Sequence, residues 1–536
     1  MSDFFRQIEV KVPNRSGEDK SFEHTLTTKC GTLTPVFWDE VIPGTKVYLK
    51  QAVAASLPPL ASDTFMKCRL KTEAFFVPYR QLSASFAPWL TGEKLFDQTT
   101  GQEVSATLPI ARIPTNAARV RVGPGSLADY LGYKVNTLGS VKSVNIFPFL
   151  CYHWLWDQMY RNSKIQKRCF SVPAANAAIS TARASFIPYT NTSISTFYDL
   201  GLGGYEGLAD GFYLSDLRQR NFDADYFTCM TTNPQSVATP AAVSFSVDLN
   251  TGDGSFTIAA LRAQNSLQQY LERQNLAGFR LTEWCKANYG VNLAEGMAQM
   301  PLFLGRASNE VYSKGVDAMS SYDSGNTQNP MAGSPGTRYG SAYALGDNTL
   351  IEEFEAKEPG IIMVLSSLVP KVSYSSGIDP LLLHFTSQSS QSDIANPLLQ
   401  NVGQQAVRQE QLYGNLAVSN DVFGFTDRYA EFMTKVDRVS GLFRDGQSLQ
   451  SFVLQRSFTG PSGPRLVSAF IEIPTSYLDQ VAAVSGSISS YGVMIDCYFE
   501  YKISHPLAKY SIPSLQDPAY EHGKGVIIPR TGQIVN

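Results

Sequence analysis

Histidine and cysteine are the residues whose chemistry would be most diagnostic, because they act as metal ligands, general bases and nucleophiles. The five histidines lie far apart, and none occurs at an H-E-x-x-H or H-x-H spacing, so a local metal motif is not indicated. His153 lies in an aromatic segment, which favours a packed polar side chain over a metal ligand. The seven cysteines are odd in number and lack C-x-x-C spacing, which predicts reduced, mostly buried thiols.

Two glycine-containing segments approach catalytic motifs without completing them. In residues 201–207, Glu206 stands where a G-x-G-x-x-G loop requires its third glycine, so we predict a flexible turn. Around Ser462, Pro464 stands where a G-x-S-x-G nucleophile elbow requires its last glycine, so we predict a rigid loop. Because no nucleophile–base pair stands out either, the sequence predicts a protein that is not an enzyme.

Four glutamates form an acidic cluster at Glu352, Glu353, Glu355 and Glu358. Neighbouring carboxylates can perform acid–base chemistry or bind Ca²⁺, and a solvated or interface surface is the alternative. We predict no cofactor, with a structural Ca²⁺ ion as the alternative that these residues leave open.

Arg119 and Arg121 lie on one side of a short predicted strand and could face DNA, with Tyr130 and Tyr133 available to stack on bases. An ordinary exposed strand is the alternative. The chain carries 44 basic and 47 acidic residues, a net charge of −3, whereas a protein that neutralises nucleic acid by itself is strongly basic. If this protein encloses a genome, another component must balance most of the phosphate charge.

Long predicted strands form the framework that would position any functional side chains. Residues 66–76 and 493–503 alternate between apolar and polar side chains, which predicts two half-buried strands, and we expect the two to pair. Residues 360–374 are predominantly apolar, which predicts a strand that is buried on both faces. Pro43-Gly44 predicts a turn between two short strands.

Other segments predict helices and loops between the strands. Apolar residues at helical spacing predict a helix at residues 150–161 and a helical insertion at residues 257–290 that ends at Gly290. Residues 319–348, rich in Gly, Ser, Asn and Tyr, are predicted to form a flexible loop, and residues 1–30 an extended N-terminal segment. Strands towards both ends with helical insertions between them predict a single β-sandwich.

Composition constrains the environment of this sandwich. Hydrophobic residues make up 43% of the chain, charged residues only 17% and aromatic residues 12%, which suits either an aromatic sheet core or burial against other protein copies. We find no signal peptide and no apolar run of the ~18 residues that a membrane span needs, so export is not predicted.

Several short motifs in a fixed order carry a family resemblance. They are GTLTP (31–35), VIPGT (41–45), FFVPYR (75–80), MYRN (159–162), DYFT (225–228), GFR (278–280), YGV (289–291), GFTDRY (424–429) and VSGLFR (439–444). In this order they resemble the major capsid proteins of gokushoviruses, small single-stranded-DNA phages of the Microviridae. PLFLGR (301–306) and EPG (358–360) depart from the family pattern, so the chain is similar to a divergent member.

The resemblance implies a fold and a set of partners. The fold would be a single eight-stranded viral jelly roll, mainly β, with large and partly helical inter-strand insertions. Copies would assemble into a T=1 icosahedral capsid, forming virions in the bacterial cytoplasm around a circular single-stranded DNA genome. The implied partners are an internal scaffolding protein, a DNA-pilot protein, a small basic DNA-binding protein and a host surface receptor.

The resemblance also implies a threefold protrusion, formed by a long insertion that serves in host attachment. Residues 163–215, between MYRN and DYFT, are the best candidate for this insertion. Its low charge suits packing among three copies and contact with a host, and the side chains expected there are Ile187, Tyr189, Ile194, Phe197 and Tyr198. A jelly-roll adhesin or carbohydrate-binding spike is the alternative function, and a hydrolase on a β-sandwich is the third.

Overall fold

The structure is a computed structural model. It describes residues 7–11, 15–83, 86–96, 101–105, 108, 110–113, 123–133, 142–168, 197–199, 215–232, 262, 265–267, 269, 281–291, 300–317, 338–385, 394–400, 403–413, 421–458, 463–507 and 525–529.

The described residues are mainly β, as the sequence predicts. The strands are β1 Gln7–Lys11, β2 Ser16–Asp19, β3 Phe22–Thr28, β4 Thr34–Val41, β5 Lys46–Ser56, β6 Cys68–Pro78, β7 Lys94–Phe96, β8 Glu103–Ser105, β9 Ile110–Ile113, β10 Lys142–Asn145, β11 Phe197–Asp199, β12 Leu302–Asp317, β13 Arg338–Glu355, β14 Gly360–Pro370, β15 Gln404–Arg408, β16 Val422–Asp427, β17 Val493–His505 and β18 Gly525–Pro529.

Helices are short and lie between strands. The α-helices are Tyr79–Leu82, Phe86–Thr91, Leu127–Tyr130, Phe147–Leu155, Leu281–Tyr289, Pro397–Gln400, Ala430–Met433, Ser468–Ile471 and Ser487–Tyr491. A π-helix covers Trp156–Tyr160, and 3₁₀ helices cover Pro380–Leu383, Gln409–Gln411, Gly441–Phe443, Gln450–Phe452 and Tyr477–Val481. No helix in these ranges is long and apolar enough to cross a membrane.

One antiparallel sheet dominates the fold. Its strands follow the order β2-β17-β5-β13-β12-β6-β14-β4, and β3 pairs with the part of β17 that β2 leaves free. Smaller pairings join β1 to β18, β15 to β16, β7 to β8, and β9 to both β10 and β11.

The sheet folds over on itself, because strands near its opposite ends touch face to face. The ring of Phe37 on β4 lies 5.7 Å from that of Phe499 and 4.9 Å from that of Tyr501, both on β17. The Tyr501 hydroxyl donates a hydrogen bond of 2.9 Å to Asp39 on β4. The apolar interior between the two halves is therefore the core of a β-sandwich. The eight-stranded jelly-roll topology remains a prediction from the resemblance.

A helical layer covers one half of the sheet. Pro148 stands in the first turn of the helix Phe147–Leu155, and every residue of this helix is buried. The sequence predicts one apolar stripe here, but the sheet and the adjoining loops enclose all sides. Tyr152 supplies a polar anchor, since its hydroxyl donates to the Leu33 carbonyl at 2.7 Å and accepts from the Arg218 amide at 2.7 Å.

Strand β14 is buried along its whole length, as its continuous apolar sequence predicts. Ile361 and Met363 pack with the helical layer, whereas Ile362 and Val364 point into the sandwich core. An alternating pattern would leave one of these faces polar, so the apolar run is needed because β14 separates two cores.

The predicted pairing of the two long alternating strands is wrong. Strand β6 pairs with β12 and β14, whereas β17 pairs with β5, β2 and β3. Alternation identifies which face of a strand is buried, and it carries no information about which neighbour completes the hydrogen bonds.

The predicted flexible loop at residues 319–348 is wrong for its second part, since residues 338–348 belong to β13. Its small residues permit close packing. A Cβ atom on Gly340 would lie 2.0 Å from the Ser62 carbonyl oxygen, and one on Gly346 would lie 2.2 Å from the Asn309 side-chain oxygen. Glycine at these positions marks tight contact with a neighbouring backbone or side chain.

Several other predicted segments are described only in part. Within residues 1–30, β2 and β3 are extended and join the main sheet. Within residues 257–290, positions 262, 265–267 and 269 are helical, and the helix Leu281–Tyr289 is followed by Gly290 with φ +69°. Most of residues 163–215 lies outside the described part.

The double burial of β14 has a measurable consequence. We expect Ile361→Ala and Ile362→Ala each to lower the free energy of unfolding by about 2–5 kcal/mol, since each leaves a cavity in a different core. Leu345→Ala, on a strand with one exposed face, is the control and should cost well under ~1 kcal/mol because its side chain is 64% exposed. Denaturant titration of the unassembled chain measures all three, and a neutral result for either isoleucine would contradict the two-core arrangement.

Candidate functional site

Most of the predicted site residues lie outside the described part of the chain. This holds for Arg119, Arg121, Ile187, Tyr189 and Ile194, and also for residues 201–207 and Ser462. Phe197 and Tyr198 lie in β11, whose backbone pairs in parallel with β9. The proposed DNA-facing and host-attachment roles therefore stay predictions.

The acidic cluster is a set of surface ion pairs. Glu353 accepts from Lys46 at 2.9 Å, Glu355 lies 3.9 Å from Arg15, and Glu358 pairs with Arg80. The hydrogen bond from Lys46, followed by its charge, lowers the pKa of the Glu353 carboxyl. Because these three carboxylates each pair with a different basic side chain, they do not converge on a common point for Ca²⁺. Nowhere in the described residues do three or more histidines, cysteines or acidic groups converge as metal ligands.

The buried polar side chains also have structural partners. His153 is fully buried, and its Nδ1 accepts from Arg218 Nε at 3.1 Å, as expected for a packed polar residue. The thiols of Cys30, Cys68, Cys151 and Cys497 are buried and unbonded to each other. Burial raises the pKa of each of these thiols, that of Cys497 to about 11, so all four are protonated at neutral pH.

Tyr160 of the MYRN motif instead joins a buried polar cluster at the sheet. Glu73 on β6 accepts from Arg220 at 2.7 Å and from the Tyr160 hydroxyl at 2.6 Å. The Arg220 guanidinium also lies 5.2 Å from the centre of the Tyr160 ring and donates to Ser367 on β14. Both members of the Glu73–Arg220 pair are less than 15% exposed.

The titration of this pair follows from its surroundings. Burial raises the pKa of the Glu73 carboxyl, but the charge of Arg220 and the hydrogen bonds from Arg220 and Tyr160 outweigh burial, and the pKa lies below its usual range. Burial, together with the charge of Glu73, raises the pKa of the Tyr160 hydroxyl. Glu73 is therefore ionised and Tyr160 protonated over the physiological range.

A second chain of contacts extends from the same motif. Arg161 Nε lies 2.9 Å from Asp157 Oδ1, and the Arg161 guanidinium donates to the Gln166 carbonyl at 3.0 Å. The Gln166 amide donates to Asn221 at 3.1 Å and to Glu472 at 2.7 Å. Segments more than 300 positions apart are thus tied into one network.

The DYFT motif forms a tight turn. Asp225 Oδ1 accepts from the backbone amides of Phe227 and Thr228 at 3.0 and 2.8 Å, and its Oδ2 accepts from the Tyr374 hydroxyl at 2.7 Å. The aromatic residues of the motif, Tyr226 and Phe227, are buried in a third core cluster. Tyr160 of the MYRN motif is thus anchored to the sheet through Glu73, and the DYFT turn is anchored through Tyr374 to the segment that follows β14.

Exposed apolar side chains point to a contact surface. Tyr312 on β12 and Tyr343 on β13 are directly opposite one another, with ring centroids 6.4 Å apart. Together with neighbours on β12, β13 and β17 they form an exposed group, which we call the tyrosine face. Its members, with their exposed fractions, are Tyr312 56%, Val316 52%, Tyr343 41%, Leu345 64%, Met494 51% and Tyr498 46%.

The tyrosine face is the feature that sequence reasoning missed. Met494 and Tyr498 lie on the polar face of the alternating strand at 493–503, where two large apolar side chains were already a signal. Tyr343 and Leu345 fell within a segment that was predicted to be a flexible loop. Their register opposite β12 is a tertiary feature that composition does not encode.

The Glu73–Arg220 pair predicts a pH-dependent stability. Glu73→Gln should lower the free energy of unfolding by about 3–5 kcal/mol at pH 7, because it leaves Arg220 buried without its counter-charge. Since the folded pKa of Glu73 is depressed, its contribution is present above the unfolded pKa of about 4.3 and is lost as the pH falls through the folded value. The difference between wild type and variant should therefore shrink below about pH 4.

The matched control is Glu310→Gln, which breaks the ion pair with Arg69 at 3.5 Å, where both side chains are 58% exposed. We expect this change to cost less than about 1 kcal/mol. Chemical denaturation between pH 3 and 8 measures both variants. Equal losses, or a Glu73→Gln effect that does not change with pH, would contradict the role of the buried pair.

Comparison with known proteins identifies the family. The family described as capsid protein (F protein) matches residues 7–185 and 206–515. Capsid protein VP1 of Chlamydia phage 1 is 25% identical over 96% of this chain and 98% of its own length. Capsid protein VP1 of Bdellovibrio phage phiMH2K is 22% identical over 95% and 97%, and that of Spiroplasma virus 4 is 26% identical over 50% and 47%.

The family match covers most of the chain, including the sandwich strands and the polar cluster. It leaves out residues 186–205, which contain Ile187, Tyr189, Ile194, Phe197 and Tyr198. The relatives are coat proteins of Microviridae phages, in agreement with the motif order found in the sequence. The adhesin alternative has no support among them. This chain belongs to the phage capsid protein (F protein) family and is a major capsid protein, a structural component of the virion.

Proposed function

We propose that copies of this chain assemble into a T=1 icosahedral shell around a circular single-stranded DNA genome, and that the chain has no enzymatic role. The capsid family match along nearly the whole chain is the observation that carries this proposal. Tyr160 and the DYFT turn anchor loops, and the exposed apolar side chains suit contacts between copies.

The charge of the chain supports further components inside the particle. With a net charge of −3, the shell cannot neutralise the genome, so a small basic DNA-binding protein should supply the positive charge. An internal scaffolding protein and a DNA-pilot protein complete the proposed set of partners, as the resemblance implies. Buried free thiols suit assembly in the reducing bacterial cytoplasm.

We assign host attachment to the insertion at residues 163–215, as a threefold protrusion that contacts a surface receptor. The family match omits residues 186–205, which fits a segment that varies between phages with different hosts. The low charge and the apolar residues of this segment would suit both trimer packing and receptor contact.

Assembly tests the proposed shell directly. The chain produced together with its scaffolding partner should form uniform particles with icosahedral symmetry, visible by electron microscopy and sedimenting as one species. The same chain without the partner is the control and should give fewer particles. Persistent monomers under all conditions would contradict the proposal.

Deletion of residues 175–195 tests the insertion. The shortened chain should fold with unchanged spectroscopic properties, because the proposed protrusion would lie on the surface of the particle. Phage carrying it should lose adsorption to host cells, or its trimer contacts should weaken. Loss of soluble expression would count against a surface position for these residues.

A further inference from the structure

We propose that the tyrosine face is a contact between two copies of this chain, packed face to face about a twofold axis, with Lys314 of one copy against Asp496 of the other. This inference rests on the proposed function, because it names one contact through which copies would assemble.

The centre of the face is an apolar row that crosses four strands. The register places Tyr312 opposite Tyr343, Tyr343 opposite Ser56, and Ser56 opposite Met494. Leu345 lies in the next outward-facing row, opposite Ala54. Nothing in the described part of the chain covers these side chains. Tyrosine and methionine with few charges are typical of the core of a protein interface.

Two opposite charges, Lys314 and Asp496, lie next to the two ends of this row and on opposite sides of it. Lys314 is two residues beyond Tyr312 on β12 and lies opposite Ser341 on β13. Asp496 is two residues beyond Met494 on β17, on the opposite side of the row, and is paired in register with Ala54. Both side chains are exposed, and neither forms an ion pair within the ranges that the structure describes.

These two charges are too far apart to pair within one chain. Three strand spacings separate them across the sheet, and four residues separate them along it, which gives roughly 20 Å. A twofold axis that lies in the contact plane, through the centre of the row and perpendicular to the line from Lys314 to Asp496, brings each lysine onto the partner copy's aspartate. A contact of this kind uses the same patch on both copies and is self-complementary.

The charges at the rim argue against other occupants. Asp347 and Glu23 lie beside Ala52 and Tyr498, and Lys50 is paired with Asp347 at 2.8 Å. Acidic groups at these positions would repel the phosphates of single-stranded DNA, although exposed tyrosines could stack on bases. A strongly basic partner would meet Lys314 at one end of the row. A second copy of this chain would pair both Lys314 and Asp496 with an opposite charge.

Charge reversal tests the contact. Lys314→Asp and Asp496→Lys should each raise the concentration needed for particle assembly by about tenfold, because each brings like charges together. The double variant restores opposite charges and should return assembly to within about threefold of wild type. Arg465→Asp reverses another exposed charge away from the face and should have little effect. Circular dichroism of each variant checks that the fold is intact.

Disulfide capture provides a second readout that does not need complete shells. A Lys314→Cys chain mixed with an Asp496→Cys chain should form a cross-linked dimer on mild oxidation, above the background of either chain alone. Particles that assemble normally in all reversal variants, without the cross-link, would overturn this contact and leave the proposed shell intact. A cross-link without particles would uphold the contact and overturn the shell. If neither appears, both fail.

Discussion

Burial of strand β14 on both faces is the constraint on which the rest of the structure depends. One face of this strand completes the core of the sandwich, and the other receives the helix Phe147–Leu155. Hydrophobic burial on two sides fixes the positions of β4 and β6 at its edges, and therefore the direction in which the sheet folds over. The insertions can grow long because they attach to this already buried layer.

Polar contacts give that attachment its specificity. Hydrophobic packing is tolerant of small displacements, whereas a buried ion pair with shared hydrogen bonds permits one geometry. Glu73 lies on the sheet, Arg220 on one insertion and Tyr160 at the end of the helical layer. The Glu73 carboxylate therefore holds the insertion and the helical layer against the sheet. The MYRN motif supplies one of these anchoring residues, Tyr160, whereas Glu73 and Arg220 lie outside the short motifs.

The sequence predicted where strands and helices lie along the chain, but it did not predict which strands pair. The alternation at residues 493–503 corresponds to β17, and the apolar run at 360–374 corresponds to β14, which ends at Pro370, because the side-chain pattern reports burial directly. Strand pairing depends on contacts hundreds of residues apart, so the expected pairing of β6 with β17 was wrong. Small residues such as Gly340 and Gly346 indicated flexibility in the sequence, yet in the structure they permit close contact with a neighbouring backbone or side chain. The tyrosine face needed the register of four strands, which no local pattern contains.

The edge of the main sheet has a consequence for a protein that must reach high local concentration. Strand β17 is 13 residues long, and an uninterrupted edge of that length beside it would be a template for adding strands from other copies. Instead, two short strands share it: β3 pairs with its first part and β2 with its last, and the Lys20 amide bonds to Tyr501 between them. Glu18, Asp19 and Glu23 add charge along this border. A broken and charged edge discourages fibre growth, so association is directed to side-chain surfaces that can close into a finite object.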